Sequence, residues 1–75
     1  MKIKLKEGAI AKVKSINYEN VASKRLIDMG ITPDTHILIK KIAPFGDPYI
    51  IEVRNYQLAL RKKDLTALEL EIIND

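Results

Sequence analysis

Hydrophobic and polar residues alternate along several short stretches of the chain, and a two-residue period is typical of strands with one buried face. The alternation, with turn residues between the stretches, predicts five strands, at residues 9–16, 35–42, 49–54, 57–61 and 68–73. In the first strand Ala11, Val13 and Ser15 share one face. A tight turn is predicted at 55–56 and a single 3₁₀ turn at 62–65. The central strands are expected to form a meander, and the first and last strands to meet and close a small barrel.

Residues 20–30, NVASKRLIDMG, have the 3.6-residue period of a helix, because apolar side chains recur on one face and charged ones on the other. Asn20 is predicted to be the N-cap, since its side chain can accept a hydrogen bond from the first turn. Gly30 is predicted to end the helix in a left-handed conformation, with Ile31 packing back on Leu26 as in a Schellman motif. A helix of this length is not stable alone, so it is expected to lie on the sheet.

With 75 residues, the chain is expected to fold as a single domain, 1–75, with a small core. Hydrophobic residues make up 47% and charged residues 31%, which is typical of a globular protein. The sequence has no cysteine, which excludes a disulfide framework, a thiolate zinc site and a thiol nucleophile. It has neither an apolar stretch of about 18 residues nor an apolar signal-peptide core, so we expect a cytoplasmic protein without direct membrane insertion.

The net charge is +3, and much of the positive charge lies near the N-terminus, on Lys2, Lys4, Lys6, Lys12 and Lys14. Such a cluster favours either a solvated basic face or contact with a nucleic acid. No aromatic side chains are interleaved with these lysines to stack on bases, so we prefer the solvated face and expect no nucleic-acid partner. A nucleic-acid complex would instead weaken steeply as the salt concentration rises.

The residues that could carry catalysis or bind a metal are few and dispersed. His36 is the only histidine, and beyond Asp34 no other donor stands at a ligand spacing from it. Asp28, Asp34, Asp47 and Asp64 each fall near a predicted turn or helix end, where aspartate commonly hydrogen-bonds the backbone. We therefore predict no catalytic, cofactor-binding or metal-binding residues and no enzymatic activity, while a transient contact with a divalent cation is left open.

The only phenylalanine, Phe45, lies in the predicted turn PFGDP between the second and third strands. Pro44 and Pro48 stiffen this turn at both ends, and Gly46 and Asp47 are residues that tight turns favour. Two interpretations are open: the ring folds back to plug the open end of the barrel, or it projects as an anchor for a partner. A stiff turn favours the second role, because little conformational entropy is lost when it binds.

Over about residues 5–72 the sequence resembles the FeoA family, ferrous iron transport protein A. Three segments carry the resemblance: RLIDMGITPDT at 25–35, KIAPFGDPYIIEV at 41–53 and YQLALRKKDLTALEL at 56–70. Each segment alone is a weak signal, but their order and spacing together are specific. Three positions depart from the family pattern, because Asp34 and Asn55 stand where glycine is common and Leu65 where a small alanine is usual. Aspartate and asparagine accept left-handed backbone angles, so the expected fold is unchanged.

The resemblance implies a mainly β fold, a five-stranded SH3-like barrel with one short α-helix between strands 1 and 2. It also implies a non-catalytic cytoplasmic accessory protein of bacterial ferrous iron uptake. The implied partner is the membrane transporter called ferrous iron transport protein B, which has a cytoplasmic GTP-binding domain, and the protein would be peripheral to the inner membrane through it. On this interpretation the expected partner-binding residues are Arg25, Asp28, Pro44, Phe45, Gly46, Asp47 and Pro48.

An alternative hypothesis also follows from resemblance, because similar SH3-like domains form the C-terminal part of iron- and manganese-dependent repressors. On that hypothesis the chain is a stand-alone module acting in metal-linked regulation. The sequence leaves three properties open: a transient contact with Fe²⁺, the direction of any effect on the transporter's GTP hydrolysis, and the oligomeric state. Small barrels with exposed hairpins can self-associate weakly.

Overall fold

The alternating stretches form five antiparallel strands in one sheet, and the computed structural model describes residues 5–74. The elements in chain order are β1 (Ile10–Ile16), α1 (Ser23–Asp28), β2 (His36–Ile42), β3 (Tyr49–Val53), β4 (Tyr56–Leu60), α2 (Lys62–Leu65) and β5 (Leu68–Ile72). The order across the sheet is β4-β3-β2-β1-β5. The predicted meander of the central strands and the predicted pairing of the first strand with the last are confirmed. The short helix α2 connects the two outer strands.

The inward side chains of the strands form one hydrophobic core together with α1. Its largest fully buried side chains are Val13, Leu26, Ile31, Ile37, Ile39, Ile51, Val53 and Leu60. Most are β-branched, as expected for residues packed on a pleated sheet. Leu26 anchors α1 to this core, and tertiary packing of this kind stabilises a helix too short to form alone.

A β-bulge in β1 changes which residues face the core. The register with β5 shifts between Val13 and Ser15, which interrupts the alternation of side chains. Ile16 is buried, while Ser15 is exposed and its hydroxyl donates to Glu69 Oε1 at 2.9 Å. The prediction that Ser15 shares the inward face of Ala11 and Val13 is therefore wrong, because the bulge reverses the side-chain direction beyond it.

Helix α1 begins at Ser23 with Ala22 as its N-cap, so the predicted capping role of Asn20 is wrong. The Asn20 side chain instead accepts a hydrogen bond from the Ala22 backbone N–H at 2.9 Å, in an Asx turn that precedes the helix. The Asn20 carbonyl accepts a second bond from the Ser23 N–H at 3.0 Å. Asparagine favours this local turn as readily as a cap, and the sequence does not distinguish the two.

The end of α1 is the Schellman motif predicted from the sequence. Gly30 has a φ of +89°. Its N–H donates to the Ile27 carbonyl at 2.9 Å, and the Ile31 N–H donates to the Leu26 carbonyl at 2.9 Å. Ile31 and Leu26 are both fully buried, so the hydrophobic contact that accompanies the motif lies in the core.

Two local predictions in the second half of the chain need correction. The chain reverses between β3 and β4 at Arg54 and Asn55, both with positive φ, so Tyr56 begins β4 and the predicted turn is displaced by one residue. The predicted 3₁₀ turn is the short α-helix α2. Neither helix in the described residues has the length and apolar composition needed to cross a membrane.

Candidate interaction surface

The turn between β2 and β3 holds Phe45 clear of the barrel. The Ala43 N–H donates to the Pro48 carbonyl at 3.1 Å, and the Gly46 N–H donates to the Ala43 carbonyl at 2.7 Å. Gly46 has a φ of +85°, which favours glycine at this position. Phe45 is 98% exposed. The interpretation of Phe45 as a barrel plug is therefore wrong, and its role as a partner anchor stays a prediction.

A side-chain hydrogen bond fixes this turn to α2. The Lys62 backbone N–H donates to Asp47 Oδ1 at 2.7 Å. Asp47 and the neighbouring Pro48 are both half-buried, whereas Pro44 is exposed. The turn is therefore held both by its own backbone and by α2, and it presents Phe45 from a braced support.

Helix α1 is joined to α2 by an ion pair that the sequence analysis missed. Arg25 Nη2 lies 3.1 Å from Asp64 Oδ2, and the Arg25 side chain is 58% exposed while that of Asp64 is 5% exposed. Asp64 Oδ2 also accepts a hydrogen bond from the Arg61 backbone N–H at 3.2 Å. The buried carboxylate thus has two donors, as buried charges require. Arg25 and Asp64 are 39 positions apart, so no local pattern signals the pair.

The loop that leads into α1 lies beside the C-terminal end of α2. The Asn17 N–H donates to the Ala67 carbonyl at 2.7 Å, and Asn20 Nδ2 lies 3.5 Å from Thr66 Oγ1. Val21, next to Asn20, is 97% exposed. Helix α2 is therefore in contact with the β2–β3 turn, with α1 and with the loop before α1, and two of these three neighbours carry a fully exposed apolar side chain.

The exposed surface of α2 is positively charged. Arg61, Lys62 and Lys63 are all exposed, and within the described chain none of them has a carboxylate oxygen within 4.0 Å. With Asp47 and Thr66 they line a shallow, open depression of about 480 Å³. These three cations are called the α2 ridge below. The sequence analysis overlooked them because a short run of charged residues is usually just solvated.

The structure brings most of the predicted partner-binding residues to α2. Arg25 reaches α2 through Asp64, and the turn 44–48 reaches it through Asp47. Asp28 is exposed near the end of α1, and its carboxylate makes no hydrogen bond or ion pair with another described residue. Whether these residues bind a partner stays a prediction.

Arg54 and Tyr56 lie at the C-terminal end of α1. Arg54 Nε donates to the Gly30 carbonyl at 3.0 Å, and Arg54 Nη2 lies 3.3 Å from Thr35 Oγ1. The Tyr56 hydroxyl donates to the Met29 carbonyl. These side chains satisfy carbonyl groups that the end of a helix leaves without partners. The fold therefore explains the positions of these two side chains.

Two further predictions concern metal and nucleic-acid binding. His36 is exposed at the start of β2, and the described part of the chain contains no group of three or more His, Cys, Asp or Glu side chains placed to hold a metal ion. In the basic N-terminal cluster, Lys2 and Lys4 lie outside the described residues, and Lys12 Nζ lies 3.5 Å from Asp34 Oδ1. The preference for a solvated basic face stays a prediction.

Sequence comparison connects the chain with iron transport. Residues 4–72 match the family model of the FeoA domain. A protein of Porphyromonas gingivalis named as a fusion of Fe(2+) transport protein A with the Fe(2+) transporter FeoB is 29% identical over 70 residues. The match covers 93% of this chain and only 8% of that relative, so the chain spans a small part of the relative's length.

Structural comparison gives the same fold. The NMR structure of the FeoA-like protein from Clostridium acetobutylicum superposes with a TM-score of 0.90 at 32% identity, covering 96% of this chain and 84% of that one. The crystal structure of Stenotrophomonas maltophilia FeoA, described as a prokaryotic SH3 domain protein, gives a TM-score of 0.77 at 19% identity, covering 91% and 85% of the two chains. The expected SH3-like fold is confirmed.

Proposed function

The chain belongs to the FeoA family, and from that premise we propose that it is a non-catalytic accessory protein of ferrous iron uptake. In this proposal it binds the cytoplasmic GTP-binding part of a membrane iron(II) transporter and is held at the membrane through that partner. The observation that carries the proposal is the Porphyromonas gingivalis relative, whose name joins Fe(2+) transport protein A and the transporter FeoB in one polypeptide.

A fusion of this kind favours physical contact between its two parts. Tethering turns a bimolecular encounter into an intramolecular one, with an effective concentration of about 1 mM for a short flexible linker. A contact of modest affinity is then formed most of the time. Two separate proteins lack this tether, so they make the same contact only through surfaces suited to association. The proposal therefore requires such a surface on this chain.

The β2–β3 turn has the properties of such a surface. Phe45 is almost completely exposed, and the turn beneath it is braced by its own backbone and by the bond from Lys62 to Asp47. Aromatic side chains on rigid supports are common hot spots, because they bury a large apolar area at little cost in conformational entropy. Arg25, paired with Asp64, adds a charged group that is positioned before binding.

The proposal is tested by isothermal titration calorimetry of this protein with the isolated cytoplasmic domain of the iron(II) transporter from the same organism. We expect a Kd in the micromolar range, and we expect Phe45→Ala to weaken binding about 10-fold or more. Absence of binding at about 500 μM of either protein, with both folded by circular dichroism, would contradict the proposal.

A matched control is available near the C-terminus. Ile73 is an exposed hydrophobic side chain like Phe45, although aliphatic and only 49% exposed, and it lies just beyond β5. Ile73→Ala removes apolar surface of similar kind away from the turn, so we expect it to leave the Kd within about 2-fold of the original value. Equal losses for both variants would show that the turn is not a specific contact.

A further inference from the structure

We propose that the α2 ridge, together with Phe45 and Val21, recognises an acidic polypeptide segment that carries apolar residues on either side of its carboxylates. This inference deepens the proposed function and rests on it for the identity of the protein that supplies the segment. It concerns the chemistry of the partner, which the family resemblance does not specify.

Charge is the first argument for an acidic partner. Arg61, Lys62 and Lys63 are exposed, and among the described residues they have no carboxylate within 4.0 Å. Of the two acids nearest in the hydrogen-bond network, Asp64 is paired with Arg25, so only the Asp47 carboxylate, which accepts from the Lys62 N–H, offsets the three cations. The ridge therefore presents an excess of positive charge, and the complementary surface is rich in glutamate or aspartate.

The two exposed apolar side chains are the second argument. Val21 and Phe45 are 97% and 98% exposed, the highest values among the large hydrophobic residues described. Val21 is next to Asn20, which contacts Thr66, and Phe45 is two positions from Asp47, which binds the Lys62 N–H. Two residues of chain span at most about 7 Å, so both anchors belong to the immediate surroundings of α2.

The length of α2 sets the scale of this surface. Lys62 and Thr66 are four positions apart, which corresponds to about 6 Å along a helix. The contacts that hold Phe45 and Val21 are therefore near the two ends of helix α2. A short peptide segment, with acidic residues in the middle and apolar residues outside, has the matching arrangement.

The combination favours a polypeptide over a nucleic acid. Phosphates would also be attracted to the α2 ridge, but base stacking requires aromatic faces, and of the two exposed anchors only Phe45 has one. A β-branched aliphatic side chain packs instead against other aliphatic or aromatic side chains. A nucleic acid is therefore an outcome that the experiment below must separate from the proposed one.

The first test uses the ¹⁵N-labelled protein and three synthetic peptides, independently of any transporter. The probe is Leu-Leu-Glu-Glu-Glu-Glu-Leu-Leu; one control peptide replaces each Glu by Gln, and the other replaces each Leu by Ser. We expect the probe to shift the amide resonances of Val21, Phe45 and the α2 ridge, and each control to bind at least about 5-fold more weakly.

Three results of this titration would overturn the inference. The first is the absence of any shift at the α2 ridge up to about 2 mM probe. The second is equal affinity for the Glu and Gln peptides, because the charge would then play no part. The third is a thymidine oligonucleotide that perturbs the same amides at lower concentration than the probe, which would assign the α2 ridge to nucleic acid.

The second test links the α2 ridge to the proposed function. Lys62→Glu/Lys63→Glu and the control Lys6→Glu/Lys14→Glu each replace two exposed lysines, and so change the net charge by the same amount. Against the transporter's cytoplasmic domain we expect the first pair to weaken binding at least about 10-fold and the control less than about 3-fold. Circular dichroism checks that both variants remain folded.

The outcomes of the two tests are distinguishable. If the original protein binds the transporter domain but both charge variants bind equally well, the inference fails and the proposed function stands. If the original protein does not bind that domain at all while the peptide titration gives the expected shifts, the proposed function fails and the acidic-segment specificity stands, with a different protein as its source.

Discussion

Phe45 lies at the tip of the β2–β3 turn, and its ring contributes almost no buried area to the folded chain. The hydrophobic effect acts on area removed from water, so this side chain contributes little to the free energy of unfolding. A large exposed aromatic residue on a braced turn can therefore be removed without loss of the fold. A Phe45 variant can therefore lose binding without losing stability, so the two roles of the side chain can be measured separately.

We predict that Phe45→Ala changes the free energy of unfolding by less than about 0.5 kcal/mol. The matched core variant is Ile51→Ala, because Ile51 follows in β3 and is fully buried. We expect that variant to lose about 2–5 kcal/mol through lost burial and the cavity left behind. Urea denaturation followed by circular dichroism measures both. A loss above about 1.5 kcal/mol for Phe45→Ala would mean that the ring packs on the barrel in solution.

The second prediction compares Gly30 with Gly46, which both have left-handed backbone angles, +89° and +85°, but different surroundings. A Cβ at position 30 would lie 3.3 Å from Arg54 Cδ, whereas a Cβ at position 46 would meet no atom within 4 Å. Gly46→Ala should cost about 1–2 kcal/mol from backbone strain alone. Gly30→Ala should cost about 0.5–1 kcal/mol more, by urea denaturation, because the Arg54 side chain must shift. Equal costs would show that Arg54 moves aside freely.

Single residues were predictable where the determining contacts are local. The Schellman end of α1 involves residues within five positions of one another, and its Gly-Ile signature is visible in the sequence. The outward direction of Ser15 was not predictable, because the bulge near it is defined by pairing with β5. The exposure of Phe45 was one of two open interpretations, since a turn sequence does not say where its tip points.

At the scale of elements, α2 is the piece that holds the candidate surface together. It contacts the β2–β3 turn through Asp47, α1 through Arg25 and the preceding loop through Asn20. Four residues cannot form a stable helix alone, so these contacts, with buried Leu65, keep α2 in place. The position of the α2 ridge therefore depends on side chains from distant parts of the chain.

The ion pair between α1 and α2 gives the third prediction. Asp64→Ala should lower the free energy of unfolding by about 2–3 kcal/mol, because it removes a buried carboxylate and leaves the Arg61 N–H without its acceptor. Arg25→Ala should lose less than Asp64→Ala, about 1–2 kcal/mol, because the buried Asp64 carboxylate keeps its bond from the Arg61 N–H and water can replace a guanidinium that is 58% exposed. Urea denaturation of both variants checks the order. A larger loss for Arg25→Ala would contradict it.

The elements themselves followed from hydrophobic periodicity, with boundaries displaced by one to a few residues. In β2, β3 and β5 the buried side chains are among the alternating hydrophobic residues, because each strand has one face on the core. The association of α1, α2 and the turn was not predictable. It depends on pairs such as Arg25 with Asp64, which are distant in sequence. Each residue of such a pair, considered alone, is equally compatible with a solvent-exposed position.

At the scale of the whole molecule, the SH3-like barrel is a rigid support for the candidate surface formed by the β2–β3 turn and the α2 ridge. The chain corresponds to only 8% of its Porphyromonas gingivalis relative, so in that protein the support is one small part of a much longer polypeptide. For separate proteins with a docking Kd of about 10 μM, about 20 μM partner gives roughly two-thirds occupancy. A 10-fold weaker variant would be about one-sixth occupied under the same conditions.

The last prediction uses tethering to separate affinity from geometry. We expect Phe45→Ala to dock poorly when mixed with the transporter's cytoplasmic domain, but to be about 90% docked when joined to it by a flexible, protease-cleavable linker, because an effective concentration of about 1 mM exceeds a Kd of about 100 μM. Amide resonances of the turn and the α2 ridge report docking before and after cleavage. Cleavage is the internal control and should return occupancy to that of the mixture. If the tethered variant stays undocked, Phe45 sets the geometry of the complex rather than its strength alone, since effective concentration compensates only for lost affinity.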